Sequence, residues 1–321
     1  MTRRAEADTD GFRTAMYWSK TENGGVRCEL CPHRCFISEH AAEVNRKSAA
    51  GACCESAAGV CGVRVNNGGV LFASGYGQVS STALDPIEKK PLYMFHPGKY
   101  ILSVGGYGCN LRCPFCQNHE ISMEYGSVWQ GEKGGLNSSD AGVTPGDIAA
   151  LAVKTVPNGN IGVAYTYNEP LINYEFLYDC AELVRAAGMK NVIVTNGYIN
   201  NEPLQNLLPL IDAMNIDLKG FTDDFYKKVG GTLEAVKETI AASRALCHVE
   251  VTTLVIPGEN EDDVMELSKW LASVDADIPL HLTRFFPRYK YGDRQPTPRE
   301  TIYKLRDIAK EHLRNVFTGN M

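Results

Sequence analysis

Residues 105–118 read GGYGCNLRCPFCQN and carry three closely spaced cysteines, Cys109, Cys113 and Cys116. They follow Tyr100–Val104, a short apolar run with the length and composition of a buried strand. The glycines ahead of the cysteines let the backbone wrap closely around a bulky ligand. The sequence therefore predicts a strand that leads into a loop able to hold an inorganic group.

The C-x3-C-x2-C spacing of these cysteines favours an iron–sulfur cluster. Four cysteine ligands are usual for such a cluster, so three leave one iron with an open position. At catalytic metals an open position is where a substrate or cofactor binds. A zinc site with His119 as its fourth ligand is the alternative, but C-x3-C is not the common zinc spacing.

Beyond Tyr100, short apolar runs alternate with amphipathic segments. The predicted strands are Tyr100–Val104, Ile161–Tyr165, Asn191–Thr195, Ala213–Asp217, His248–Ile256 and Leu280–Phe285. The predicted helices are 145–156, 170–187, 202–209, 233–245, 261–273 and 298–313, the first of them capped by Thr144 ahead of Pro145. This alternation is typical of a parallel sheet with crossover helices, either doubly wound or curved into a barrel.

A second group of cysteines lies in a region rich in glycine, serine and proline. Its members are Cys28, Cys31, Cys35 and Cys61. Their number and spacing predict a second metal site, either zinc bound by four thiolates or an auxiliary iron–sulfur cluster. The other interpretation is that they pack against the core without metal. His33 is an alternative ligand, although a histidine in this context is more often a surface residue.

The remaining cysteines are not assigned to a site. Cys53 and Cys54 are adjacent in a predicted inserted loop, Ser38–Cys54, and neighbouring thiols rarely bind one ion together. Cys180 and Cys247 stand alone in apolar segments, which predicts inert buried thiols.

The composition is that of an ordinary globular protein and excludes several classes. The chain has 321 residues, 44% apolar and 22% charged, unlike a disordered chain. Its 32 basic and 38 acidic side chains give a charge of −6, which offers no electrostatic case for binding nucleic acid. No apolar run approaches the roughly 18 residues of a membrane span, and the first residues do not form a secretory signal. Eleven cysteines in such a chain indicate a cytoplasmic protein with metal chemistry rather than disulfides.

Three regions are predicted along the chain. Residues 1–25 form a loose N-terminal segment, 26–95 a small Cys-rich module, and 96–321 the strand–helix core.

The cysteine loop after the first core strand resembles the signature of the radical S-adenosylmethionine (SAM) superfamily. The resemblance implies an α/β fold, a partial (β/α)6 TIM-like barrel with the Cys-rich module at its N-terminus. It implies a [4Fe-4S] cluster on Cys109, Cys113 and Cys116 whose open iron binds SAM. It also implies reductive cleavage of SAM to a 5′-deoxyadenosyl radical that abstracts hydrogen from a substrate the sequence does not identify.

In such barrels chemistry gathers at the C-terminal ends of the strands, where this sequence has several matching short motifs. The residues that the resemblance assigns to SAM are Phe115, Asn168, Glu169, Thr195, Asn196, Asp217, Lys219 and Ile256. Glu169 takes the place of the glutamate in the superfamily's Gly-Gly-Glu motif, although Tyr167 and Asn168 replace the glycines. Candidates for the substrate side are Tyr165, Tyr167 and His281, with core packing as the alternative.

Longer stretches resemble the AmmeMemoRadiSam-system radical SAM enzymes, relatives of the pyruvate formate-lyase activating enzyme. These stretches are CELCPHRC at 28–35, CGVR at 61–64, DPIEKKPLY at 85–93 and AYTYNEP at 164–170. The resemblance implies a low-potential electron donor, flavodoxin or ferredoxin, and partners among Memo-like, AMMECR-type or glycyl-radical proteins. Within DPIEKKPLY, the default interpretation of Lys89 and Lys90 is a solvated pair.

Other functions remain open at this stage, among them an assembly scaffold for the partner proteins, which would bind them without turnover. Another is an activating enzyme for a glycyl-radical enzyme, which belongs to the same superfamily. A third, from a different class, is a non-catalytic iron–sulfur or zinc-thiolate module without affinity for SAM.

Overall fold

A computed structural model describes residues 13–22, 24–38, 58–123 and 142–321. The predicted loop Ser38–Cys54 lies outside these residues except for Ser38, as does most of the predicted loose N-terminal segment.

In the part of the chain that the structure describes, the strands form one large sheet and two small ones. The strands are β1 (Trp18–Lys20), β2 (Val26–Cys28), β3 (Phe36–Ile37), β4 (Arg64–Asn67), β5 (Val70–Ala73), β6 (Ser81–Pro86), β7 (Tyr100–Gly105), β8 (Asn160–Thr166), β9 (Lys190–Thr195), β10 (Ala213–Asp217), β11 (His248–Val255), β12 (Leu280–Arg284) and β13 (Val316–Gly319). β1, β2 and β3 form an antiparallel sheet, and β4 and β5 form a hairpin.

The large sheet decides between the two architectures that the sequence left open. Its strand order runs from β6 to β13 without a reversal, and every neighbouring pair from β7 to β13 is parallel. A doubly wound sheet reverses its strand order, whereas a barrel wall keeps it sequential. The fold is therefore a partial (β/α) barrel with six crossover connections, as expected. β6 lies antiparallel to β7 at one edge, so this strand of the predicted N-terminal module belongs to the core sheet.

The helices follow the strands and cover the outside of the sheet. They are α1 (His119–Ser122), α2 (Pro145–Lys154), α3 (Tyr174–Ala186), α4 (Asn201–Leu207), α5 (Asp223–Val229), α6 (Leu233–Arg244), α7 (Val264–Asp275) and α8 (Arg299–Ala309). The predicted start of α2 is confirmed: Asp147 N–H donates to Thr144 Oγ1, and Thr144 N–H donates to the Asp147 carboxylate. This reciprocal pair satisfies backbone donors that the first helical turn leaves unpaired.

The segment between β6 and β7 packs across the N-terminal end of the barrel. Ile87 and Leu92 are fully buried in a cluster that includes Ile101 of β7. The backbone N–H groups of Tyr93 and Met94 donate to the carboxylate of Glu250 in β11, at 3.0 and 2.8 Å. The opposite end, where the strands finish, carries the predicted site.

A buried ion pair joins the N-terminal module to the barrel. Arg64 in β4 lies 3.1 Å from the carboxylate of Glu175 in α3, and both side chains are at most 2% exposed. Arg64 also donates to the carbonyl of Met16, whose own N–H donates to Glu175 over 2.6 Å. The module is thus attached through charges that water does not reach.

Candidate SAM and iron–sulfur site

The three core cysteines lie on the loop that follows β7. Gly108, just before Cys109, has a φ of +82°, in the left-handed region that favours glycine. A Cβ at this position would lie 2.5 Å from the carbonyl oxygen of Cys61. The glycine therefore allows both the turn into the loop and its close contact with the N-terminal module.

Asn168, at the end of β8, holds this loop in place. Its Oδ1 accepts from Gly106 N–H at 3.0 Å, and its Nδ2 donates to the carbonyl of Gly108 at 3.1 Å. The Asn118 amide, beyond the last cysteine, donates to the Tyr167 carbonyl at 2.5 Å. The structure thus places Asn168 as a support for the cysteine loop, a role the sequence did not suggest.

Burial shapes the chemistry of the three thiols. It raises the pKa of Cys109 and Cys116 above the usual value and that of Cys113 to about 11. Neighbouring thiols add to the rise for Cys109 and Cys113, consistent with the closeness of the three side chains. Among the described residues, no three His, Cys, Asp or Glu side chains converge on one point as around a single ion. A cluster does not require that, because each cysteine binds a different iron, so a three-thiol donor set fits the group that the spacing predicts.

Glu169 is a buried carboxylate with three donors. Thr195 Oγ1 donates to its Oε1 at 2.6 Å, Leu171 N–H to the same oxygen at 3.0 Å, and Asn196 N–H to Oε2 at 2.7 Å. Burial nevertheless raises the pKa of Glu169 to about 7, because these bonds only partly offset its loss of water. A cation bound beside it would lower that pKa and keep the group ionised.

Asn196, at the end of β9, connects the carboxylate to the cysteine loop. Its backbone donates to Glu169, and its Nδ2 lies 3.7 Å from Cys109 Sγ and 2.9 Å from Asn110 Oδ1. Asn110 is almost fully buried and was missed by sequence reasoning. The ends of β8 and β9 and the loop after β7 therefore form one hydrogen-bonded unit.

Asp217 and Lys219 bring an ion pair to the same end of the barrel. Lys219 Nζ lies 2.7 Å from Asp217 Oδ2. Burial alone would lower the pKa of Lys219, but Asp217 and the thiolates of Cys113 and Cys116 outweigh it and raise the pKa above its usual value. The Lys219 ammonium thus faces the cysteine loop.

Phe115 and Ile256 are buried apolar residues. Phe115 packs near Phe225 and Tyr291, with ring centroids 6.1 and 6.0 Å away. Ile256 follows β11, and its N–H donates to Asn260 Oδ1 at 2.8 Å. Both belong to the main hydrophobic cluster, which also includes Cys113.

A polar cluster inside the barrel was largely unexpected. The Asp85 carboxylate accepts from Lys90 Nζ at 2.8 Å, Tyr167 Oη at 2.8 Å and Ser103 Oγ at 3.0 Å. The Lys90 side chain is only 3% exposed, so the default interpretation of a solvated pair is wrong for Lys90, whereas Lys89 is 66% exposed. Tyr167 adopts a φ of +73°, which glycine adopts without strain. The conformation matches the position where the Gly-Gly-Glu motif has a glycine.

The other residues named on sequence grounds also have partners. Tyr165 donates to Asn191 at 3.2 Å, and His281 Nε2 lies 2.6 Å from Glu250. The ring of His119 stacks on Tyr289 at 4.6 Å. Of the two isolated cysteines, Cys180 is fully buried as predicted, whereas Cys247 is partly exposed.

Comparison with known proteins points to the same superfamily as the cysteine loop. Residues 103–271 match the radical SAM superfamily. The chain belongs to this superfamily. The radical SAM chain is 41% identical over 317 residues to an uncharacterised protein of Methanocaldococcus jannaschii, covering 97% of this chain and 86% of that protein. It is 27% identical over 212 residues to the pyruvate formate-lyase-activating enzyme of Clostridium pasteurianum, covering 63% and 80%.

A solved structure supports the fold assignment. A radical SAM methyltransferase from Sphaerobacter thermophilus has a TM-score of 0.51 at 15% identity, covering 70% of this chain and 67% of that one. The superfamily implies a [4Fe-4S] cluster and SAM. No helix in the described residues is both long and apolar enough to cross a membrane.

The four N-terminal cysteines lie near one another, beside the core cysteine loop. Cys28 ends β2, and Cys31 and Cys35 lie in the turn that leads to β3. Burial raises the pKa of Cys31, and that of Cys61 to about 12, and neighbouring thiols contribute in each case. The four thiols are therefore close together, while their binding of a metal stays a prediction.

Proposed function

We propose that this chain is a SAM-cleaving enzyme in which Cys109, Cys113 and Cys116 bind three irons of a [4Fe-4S] cluster. SAM would occupy the open iron. Together, when bound and reduced, these groups supply a 5′-deoxyadenosyl radical that abstracts hydrogen from the substrate. The observation that carries the proposal is the position of Asn196, which touches both Cys109 and the buried carboxylate of Glu169.

Glu169 would bind the ammonium group of SAM. It is 2% exposed, and its three hydrogen-bond donors fix its orientation toward the end of the barrel. A buried carboxylate is stable only with a partner, and a positive ligand supplies one. Thr195 and Asn196 would act by positioning this carboxylate.

The remaining residues would shape the pocket. Asn168 fixes the cysteine loop through Gly106 and Gly108. The Asp217–Lys219 pair places a cation beside the thiolates and lessens their mutual repulsion. We assign Phe115 and Ile256 to the apolar wall beside adenine, consistent with their burial.

The test is SAM cleavage by the anaerobically reconstituted protein. With a low-potential reductant we expect 5′-deoxyadenosine from the wild type and from a Cys247→Ser control, and none from Cys113→Ala. Cys247 lies between α6 and β11, and its thiol donates to the Ser243 carbonyl, so the control removes a thiol outside the proposed site. A fully loaded cluster that yields no cleavage, and whose EPR spectrum SAM leaves unchanged, would favour the non-catalytic module instead.

A second candidate is activation of a glycyl-radical enzyme. It rests on the similarity to the Clostridium pasteurianum activating enzyme. In this case the hydrogen would come from a glycine of a partner protein, and the electron from flavodoxin or ferredoxin. A glycyl radical detected by EPR on an added partner would support it, and turnover of a small molecule alone would contradict it.

The AmmeMemoRadiSam resemblance points to other partners. We propose that Memo-like and AMMECR-type proteins bind this enzyme or act on its product. Co-purification of the full chain with such proteins, or product formation that depends on them, would test this role.

A further inference from the structure

The N-terminal cysteine group and the core cysteine loop share a contact surface. The Cys61 carbonyl lies so close to Gly108 that no side chain fits between them. The Arg112 guanidinium bridges the two segments, donating to the carbonyls of Val60 and Cys109. The backbone of Cys61 therefore contacts Gly108, the residue that directly precedes Cys109.

His33 forms a second link between the groups. It lies between Cys31 and Cys35, and its Nε2 is 2.7 Å from the carbonyl oxygen of Asn110. Its ring also contacts the edge of Tyr198 at 5.1 Å. This histidine is a connector to the core loop rather than the surface residue that its sequence context suggests.

The fold brings the four N-terminal cysteines together from separate segments. Cys28 N–H donates to the Cys35 carbonyl at 2.9 Å, which pairs the two ends of the turn between β2 and β3. Val60 N–H points at Cys35 Sγ at 3.5 Å, which brings the segment with Cys61 beside them. N–H donors aimed at sulfur stabilise thiolate ligands and tune the potential of clusters.

A buried cation lies beside these thiols. Arg64 is 1% exposed and interacts electrostatically with Cys28 and Cys61 as well as with Glu175. Four thiolates carry more negative charge than the metal they bind, so a nearby guanidinium lowers the cost of burying them.

We propose that this group binds a second iron–sulfur cluster, with four protein ligands: Cys28, Cys31, Cys35 and Cys61. The N–H donor aimed at Cys35 Sγ and the buried Arg64 guanidinium suit a thiolate-rich cluster at this position. In a cluster each cysteine binds a different iron, which is also how the core cysteines would bind theirs.

The shared surface gives this second cluster a role in electron transfer. A one-electron oxidation of the second cluster would accompany a one-electron reduction of the first, with no bond made or broken. A reduced flavodoxin or ferredoxin would then restore the second cluster. This role rests on the proposed function, since it requires the core cluster, whereas the existence of the second cluster does not.

The metal content of a core-loop variant tests the second cluster. In full-length Cys109→Ala/Cys113→Ala/Cys116→Ala protein, reconstituted anaerobically, we expect about half the iron and sulfide of the wild type and no stoichiometric zinc. The complementary Cys31→Ser/Cys35→Ser variant should lose the other half, and Cys247→Ser should lose none. A core-loop variant that folds, as judged by circular dichroism, but carries no iron or one zinc ion would overturn the proposal.

EPR of the reduced proteins tests whether the two clusters are close enough for their spins to interact. We expect a simple signal from each variant and a broadened signal from the wild type, because two nearby spins interact. A wild-type spectrum equal to the sum of the two variant spectra would overturn the electron-transfer role. Should the wild type fail to cleave SAM while the core-loop variant keeps its iron, the proposed function fails and the second cluster stands.

Discussion

The hydroxyl of Tyr167, at the end of β8, donates a 2.8 Å hydrogen bond to Asp85 in β6, on the antiparallel edge strand. The bond links Tyr167, the residue before Asn168, to β6, the edge strand of the large sheet. Lys90 lies over the Tyr167 ring at 4.7 Å and pairs with the same carboxylate. The backbone that carries Asn168 and Glu169 is therefore stabilised from inside the barrel.

Loss of Asp85 should be costly because it leaves Lys90 buried without its partner. We expect Asp85→Ala to lower the free energy of unfolding by about 3–5 kcal/mol, measured by urea denaturation. The matched control is Lys89→Ala, which removes the exposed partner of the same carboxylate and should cost about 1 kcal/mol or less. Equal effects of the two substitutions would refute the burial argument.

Asn168 should govern how firmly the cysteine loop holds its cluster. Asn168→Asp keeps the acceptor for Gly106 N–H but loses the donor to the Gly108 carbonyl, at about 1 kcal/mol per lost bond. We expect faster loss of iron to a chelator from Asn168→Asp and faster still from Asn168→Ala. The exposed Asn158→Ala should behave as the wild type, and unchanged iron release in the Asn168 variants would contradict the role.

Glu169 should control the affinity for SAM without controlling the cluster. Glu169→Gln removes the negative charge and turns an amide donor toward groups that themselves donate. A charge-assisted hydrogen bond contributes about 1.5–3 kcal/mol, so the dissociation constant of SAM should rise about 10- to 100-fold. Equilibrium dialysis under anaerobic conditions measures this, with Glu182→Gln on the exposed face of α3 as the control. Iron content should not change in either variant.

Glu250 should make the fold sensitive to acid. Burial alone would raise its pKa, but hydrogen bonds from His248, His281 and Met94 N–H lower it to about 2, below the usual 4.5. A group with a depressed pKa in the folded state stabilises the protein above the unfolded value, and that contribution is lost as pH falls from about 4.5 toward 2. We expect Glu250→Gln to flatten the acid side of a plot of unfolding free energy against pH. A slope equal to that of the wild type would contradict this origin.

Much of the barrel could be predicted because its strands are buried apolar runs separated by amphipathic helices. β6 was missed because Ser81–Pro86 is polar and lies at an edge, where no alternating apolar pattern is required. α5 and β13 were missed because they are short, and short elements depend on tertiary contacts rather than on local pattern.

Some residues of the candidate site could likewise be predicted from local sequence, and others could not. The spacing of the core cysteines and the strand-end motifs are local signals and could be read directly. The support from Asn168, the position of Asn110 and the burial of Lys90 depend on which loops meet in space. Lys90 in particular has the sequence context of a solvated lysine, and only Asp85, brought alongside by the turn after β6, explains its burial.

The ion pair between Arg64 and Glu175 limits which fragments of the chain can be expected to fold. The segment shared with the superfamily starts at residue 103, yet Glu175 within it depends on Arg64 and on the backbone of Met16. A fragment cut at that boundary would bury an unpaired carboxylate and uncover the edge that β6 now protects. We therefore expect the stretch matched by the superfamily not to fold stably on its own in this chain, and a stable shortened protein to need residues from Met16 onward.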